Sequence, residues 1–184
     1  MTEVEILEAA EAEGFIASLI TPEQVPIVPG FRMFCEENRC GKYNANYSCP
    51  PDCGTVQELQ NRVMAEELVL VVTSQWEIQG YEDQEGIQAS KKAHNAALLR
   101  LMDKLRKIGI QGFAVGYSGC ALCNPCKRTL NQPCAFPDKR ISCMSAYCVN
   151  VAELANRCGM DFAWDSNRLY LFGMIPYHTI SGSY

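Results

Sequence analysis

Histidine is scarce in this chain, and a surplus of positive charge is missing. Only His94 and His178 occur among 184 residues, which argues against a metal site built on imidazoles. Sixteen Lys and Arg against 21 Asp and Glu give a net charge of -5, so the basic excess of a general nucleic-acid binder is not there. No apolar run approaches the roughly 20 residues that span a bilayer; the densest is ELVLVV, Glu67 to Val72. The opening stretch MTEVEILEAAEAEG is acidic where a secretory leader would be basic and then apolar. The chain therefore reads as cytoplasmic, with neither membrane nor nucleic acid among its expected partners. Phosphate-loop, dinucleotide-binding and G-x-S-x-G nucleophile patterns are also missing.

Cysteine, by contrast, is abundant. Eleven cysteines are several times ordinary usage. A reducing cytoplasm disfavours a disulfide framework and leaves metal ligation or redox chemistry. Staples are not needed merely to fold, because a chain of this length can bury a core of its own.

Local signals outline that core. Thr2 with Glu5, and Thr55 with Glu58, form capping boxes that predict a short acidic helix ended by Gly14 and a second helix from Val56 to about Glu66. The strongest helix is predicted over Gly86 to Ile108, with Ala93, Ala97, Leu101, Leu105 and Ile108 as its apolar face and His94 in its solvated register. Asn150 with Glu153 opens a last helix that packs Cys158 inward and stops at Gly159. Strands are predicted at FIASLI, VPIV, ELVLVVTSQWEI, GFAVGY, DFAW and RLYLFGMI, the last two paired through the turn at Asp165, Ser166 and Asn167. Pro22, Pro26 and Pro29 make Thr21 to Gly30 mostly extended loop. Trp76 and Trp164 read as core or interface aromatics and His178 as a terminal surface residue. Strands alternating with helices give an α/β fold, with α+β as the alternative. The expected architecture is one domain over 1–184, a layered core of a mixed sheet with helices and cysteine-rich loops at element ends.

The cysteines fall into two groups. In CALCNPC the spacing is C-x-x-C-x-x-C, and Cys134 follows Cys126 after seven residues. Three thiolates at that interval wrap one face of a cubane cluster while a later cysteine reaches the remaining iron. Zinc competes, but its usual signature is two separated C-x-x-C knuckles. Gly119 and the Asn124-Pro125 turn are placed to point backbone N–H groups at sulfur. Lys127, Arg128, Lys139 and Arg140 bracket Cys134, where they would offset cluster charge, meet an acidic redox partner or simply be solvated. In the first group four, eight and three residues separate Cys35, Cys40, Cys49 and Cys53, gaps that suit zinc about as well as a cluster. Pro50 and Pro51 hold the backbone extended, while Gly54 frees it beyond Cys53. Cys143 and Cys148 are substitutes for a missing ligand, a redox pair, or packed thiols.

Cys35, Cys40, Tyr43 and the CPP of Cys49 to Pro51, joined to CALCNPC and PCAFPDKR, resemble a prokaryotic family of predicted metal-binding proteins, a cysteine-rich domain of unknown function (DUF2284-like). The likeness runs from about Phe31 to the last strand. It implies metal binding, of iron-sulfur type, in a redox setting, and supplies no substrate. In the family pattern a glycine stands at the position of Cys148, and Cys53 is not a regular member.

The expectation is an iron-sulfur protein with two cysteine-ligated sites, at least one a 4Fe-4S cluster. Cys120, Cys123, Cys126 and Cys134 would hold one, and Cys35, Cys40, Cys49 and Cys53 the other. Such a protein would serve electron transfer with a redox partner protein, or act as an enzyme if one iron is left open to substrate. The alternative is a structural zinc module that fixes loops for protein interaction.

Overall fold

The computed structural model describes residues 2–117, 120–163 and 166–180. Both capping boxes form. Thr2 N–H donates to Glu5 Oε2 at 2.8 Å and opens α1, Glu3–Glu11. The strand β1, Ile16–Ile20, follows. Pro22 and Pro29 each begin a single turn of 3-10 helix, so the proline-rich segment is less extended than predicted; proline's fixed φ suits the first position of a turn. The second of these turns runs into α2, Arg32–Glu36. Thr55 N–H donates to Glu58 Oε2 at 2.7 Å and opens α3, Val56–Met64. After β2, Leu68–Glu77, Asp83 Oδ1 accepts the Gly86 N–H at 2.9 Å and caps α4, Gln84–Lys107. The remaining elements are β3, Ile110–Gly112; β4, Val115–Gly116; β5, Ser142–Cys143; α5, Val151–Arg157; and β6, Arg168–Thr179.

The strands make one mixed sheet in the order β1-β2-β6-β4-β5, with β3 also on β6. β2 and β6 pair antiparallel from Leu68↔Tyr177 to Glu77↔Arg168, whereas β4 and β5 pair parallel. Val69, Leu70, Val71 and Val72 are all fully buried, as expected of a strand covered on both faces. Alternation sends Leu70, Val72, Ile175 and Tyr177 towards α1 and α4. It sends Val69, Val71, Phe172 and Met174 towards α3 and α5. The result is a layered, mixed α+β fold. No helix among the described residues is long and apolar enough to cross a membrane.

Three local expectations are corrected. GFAVGY is split into β3 and β4 because it runs beside Pro176, whose carbonyl accepts the Phe113 N–H at 3.2 Å. The nitrogen of a strand residue points to the same side as its own carbonyl, so the donor missing from proline faces this gap. DFAW does not form a strand over Asp161–Ala163, and β6 pairs with β2 instead; Trp164 and Asp165 lie outside the described residues. VPIV contributes only the bridge Ile27↔Val149.

The buried face of α4 comprises Ser90, His94, Ala97, Leu98, Leu101, Met102 and Leu105, a phase that leaves Ala93 exposed and takes His94 inward. His94, expected in solvent, is fully buried. The helix lies close to the sheet at Gly173, where a Cβ would sit 3.2 Å from His94 Nε2. A hydrogen bond of 2.7 Å joins His94 Nδ1 to Ser74 Oγ, which also accepts the Trp76 Nε1–H at 2.7 Å. His94 Nε2 makes no hydrogen bond of good geometry; the Phe172 backbone is its polar neighbour. His178 is half-buried on β6, its Nδ1 2.6 Å from Glu66 Oε2.

Candidate metal centre

The end of β4 is fixed before the second cysteine group begins. Asn95 on α4 donates from Nδ2 to Tyr117 O at 2.7 Å and accepts the Tyr117 N–H on Oδ1 at 2.9 Å. Only glycine at position 116 allows this, because a Cβ there would lie 2.3 Å from Asn95 Oδ1. Beyond it, Cys120, Cys123, Cys126 and Cys134 line one cavity of about 10 Å³ together with Lys127 and Arg140. That is about the space of one water. The loop is held open by short turns, with Thr129 giving both its N–H, at 3.0 Å, and its hydroxyl, at 2.8 Å, to Cys126 O. Burial raises the Cys120 thiol, and the backbone N–H groups of Leu122 and Ile141 at its sulfur act the other way. Donors at sulfur were expected, but from Gly119, which lies outside the described residues. The Asn124-Pro125 peptide is cis.

The first group is assembled from more distant parts. Cys35 stands on α2, and the chain then turns through the positive-φ residues Asn38, Gly41 and Asn44. Tyr43 N–H donates to Asn38 Oδ1 at 3.0 Å and Asn44 N–H to Pro50 O at 2.8 Å. The segment after Cys49 is turned, not extended: Cys53 N–H bonds Cys49 O at 3.0 Å and Gly54 N–H bonds Pro51 O at 3.1 Å. The Pro50-Pro51 peptide is cis, and the turn's hydrogen bonds use donors that neither proline needs to supply.

Burial, reinforced by the charge of Cys143, pushes the Cys35 and Cys49 thiols up to about 12. The thiols of Cys35 and Cys49 are each also within charge reach of Cys40. Burial raises the Cys53 thiol as well, opposed by the Arg32 guanidinium. Lys91, half-buried on α4, is depressed by burial and partly restored by Cys40, and its Nζ lies 4.9 Å from the centre of the Tyr117 ring.

A buried polar bridge joins the two groups. Ser48, fully buried, accepts the Cys120 N–H on Oγ at 2.8 Å, donates to Asn46 Oδ1 at 2.8 Å and lies 4.0 Å from Cys49 Sγ. Asn46 Nδ2 donates to Cys120 O at 2.8 Å. On the outside, Arg128 pairs with Asp52 at 2.8 Å and donates to Asn44 Oδ1 at 2.8 Å, while Tyr47 OH donates to Gln132 O at 2.8 Å. Arg128, one of the four basic residues near Cys134, thus fastens one loop to the other. Cysteine spacing gave no sign of Asn46, Ser48 or Arg32. Their role arises only where loops distant in sequence meet.

The family model for DUF2284, predicted metal-binding protein, matches residues 18–175. The chain belongs to this family. No curated protein and no solved structure matches it.

In this DUF2284 protein the donor set fits a thiolate-bound metal. All eleven cysteines are described and none is in a disulfide. N–H groups reach sulfur at Cys120 in the second group and at Cys143, where Ala146 donates to Sγ at 3.4 Å, and such bonds stabilise metal-bound thiolates. Among the described residues no three Cys, His, Asp or Glu side chains are already drawn into a metal-holding arrangement. The four thiols of the second group line a common cavity without meeting in it, and a ligand set is completed on deprotonation and metal uptake. Cys158 is apart from both groups, its thiol hydrogen-bonded to Ser18 and packed on the apolar cluster of α3 and α5, as expected of a core cysteine. Cys148 is fully buried at φ +56°, beside Arg32.

Proposed function

We propose that this protein is an iron-sulfur protein with two cysteine-ligated centres, at least one a 4Fe-4S cluster, serving one-electron transfer with a redox partner in the cytoplasm. The observation that carries the reading is the second group: a C-x-x-C-x-x-C run whose three cysteines and the later Cys134 all line one cavity. On this reading Cys120, Cys123, Cys126 and Cys134 hold one centre. Cys35, Cys40 and Cys49 hold the other, with a fourth thiol from Cys53 or Cys143. A cluster bound there supplies a site for one electron. The chain's own residues provide the rest: N–H groups at Cys120 and Cys143, Lys127 and Arg140 against negative charge, and Asn46 with Ser48 as a short link between the groups. Leu122, Leu130 and Phe136 are exposed on the second loop, where a partner protein would dock.

Zinc is the second reading: the four thiols that line this cavity also suit a tetrahedral ion, whereas a cubane needs them to move further apart than a single ion does. The second-group loop is mostly exposed, which leaves it room to do so. Anaerobic purification with iron, acid-labile sulfide and zinc analysis decides between them. A brown protein with iron and sulfide is the expected result. A colourless protein with stoichiometric zinc, still free of iron after anaerobic reconstitution, overturns the iron-sulfur reading.

A further inference from the structure

We propose that Cys143 completes the first centre with Cys35, Cys40 and Cys49, and that Cys53 stands outside it. This rests on the metal-centre reading above and names a ligand that no spacing within the first group supplies.

Position comes first. β5 pairs parallel with β4 so that Cys143 lies opposite Gly116, one residue before Tyr117. The Tyr117 ring carries the Lys91 ammonium, and Lys91 is in turn within charge reach of Cys40. Beyond Cys143 the chain makes a tight turn in which Cys143 O accepts the Ala146 N–H at 3.0 Å. Arg32 then ties three pieces of chain together. It is the first residue of α2, the helix that bears Cys35, and its Nη2 donates to Ala146 O at 3.1 Å and to Gly54 O at 3.3 Å. One guanidinium therefore holds the Cys143 turn, the end of the first cysteine loop and the Cys35 helix in one place.

Electrostatics agrees with that placement. The charge of Cys143 reaches Cys35, Cys49, Cys53 and Tyr117, as that of Cys53 reaches Cys49. Cys143 Sγ also receives the Ala146 N–H at 3.4 Å, a contact of the kind that metal-bound sulfur accepts. Cys53 has the opposite setting. Its side chain packs on the apolar cluster of α3 and α5, and its Sγ makes only a weak contact of 3.9 Å with Gly54 O. Arg32 reaches the Cys53 sulfur as well as those two backbone carbonyls, so Cys53 already has a charged partner of its own.

The test uses the full chain, reconstituted anaerobically with iron and sulfide, with metal content and electron paramagnetic resonance read for Cys143→Ser and Cys53→Ser. Cys143→Ser is expected to lose the first centre, or to change its spectrum to that of an oxygen-ligated site, while the second centre is retained. Cys53→Ser is expected to keep both. Loss of the first centre in Cys53→Ser but not in Cys143→Ser overturns the assignment. Retention of both centres, with unchanged spectra, in both variants also overturns it. Should Cys143→Ser lose both centres, Cys143→His decides: a first centre restored with an altered spectrum supports ligation at position 143, and none restored overturns it. Failure of the wild-type chain to take up any metal would overturn the underlying reading instead, and so is distinguishable from failure of the ligand assignment.

Discussion

The two cysteine groups are built in different ways. The second lies within one loop, Cys120 to Cys134, whose spacing and short turns bring its four thiols around one cavity, with Ser48 and Asn46 holding Cys120 from outside the loop. The first draws on α2, the turns through Cys49 and Cys53, and a strand more than a hundred residues away in sequence, with Arg32 and the Cys143 turn holding the pieces. Cys35, Cys49, Cys53 and Cys120 are all raised chiefly by burial, but most of the second loop beyond Cys120 is exposed. A local site needs its loop; a composite site needs the fold. Damage to the first should therefore spread through neighbouring elements, and damage to the second should stay where it is made.

The largest expected effect tests that locality directly. Cys123→Ser removes a thiol from the middle of the C-x-x-C-x-x-C run and should abolish the second centre, lowering metal per chain by about half. The spectrum of the first centre should be unchanged. Metal analysis together with electron paramagnetic resonance reads both at once. Loss of both centres would show that the groups are one cooperative unit.

The same contrast explains what could be read in advance. Thr2, Thr55 and Asn150 act within three residues of themselves, so their caps were legible, and the second cysteine group was legible for the same reason. The phase of α4 was not, because His94 is apolar by no scale of periodicity; it is buried through Ser74 and Trp76 on β2 and the close approach at Gly173. Likewise, the break between β3 and β4 depends on Pro176, far along the chain in β6. Cys143 appeared as one of several spare thiols, and only the pairing of β5 with β4 brings it to the first group. Where sequence reading stopped short, the missing fact was a tertiary contact.

A second test asks whether the scaffold beneath both groups stands without metal. The chelated, reduced protein should keep much of its far-UV circular dichroism, since most of its layered core comes from helices and strands outside the cysteine loops. Its stability should depend on His94, whose burial lowers its pKa from 6.5 to about 4. A histidine kept neutral in the fold protonates first in the unfolded chain. Its contribution is thus complete above pH 6.5, declines as pH falls, and is lost by about pH 4. At 1.36 kcal/mol per unit that amounts to about 3 kcal/mol. Urea denaturation across this window should show the decline, and His94→Gln should flatten it. An identical pH profile in the variant would place the acid sensitivity elsewhere.

The bridge between the groups comes next in size. Ser48→Ala removes the oxygen that accepts the Cys120 N–H and donates to Asn46 Oδ1, leaving buried polar groups without that partner at a cost of about 2 kcal/mol. The midpoint of urea unfolding should fall, and retention of metal at the second centre should weaken because Cys120 is the cysteine the bridge positions. An unmoved midpoint would mean that the outer contacts from Arg128 and Tyr47 dock the loops unaided.

The smallest effect concerns Cys148, the buried thiol that belongs to neither ligand set proposed here. Its φ of +56° lies in the left-handed region, where a side chain other than glycine costs about 1 kcal/mol. Two substitutions separate backbone from thiol. Cys148→Ala deletes the sulfur and its contact with Arg32 but keeps a Cβ at positive φ. Cys148→Gly makes the same deletion and relieves the backbone. The glycine variant should thus be more stable than the alanine variant by about 1 kcal/mol, and the two should bind as much metal as the parent chain. Equal stabilities would show that the turn after Cys143 relaxes around the new residue. Metal lost from the first centre in both variants would instead make the sulfur of Cys148 a ligand, and the composite site would extend one turn further along the chain than Cys143.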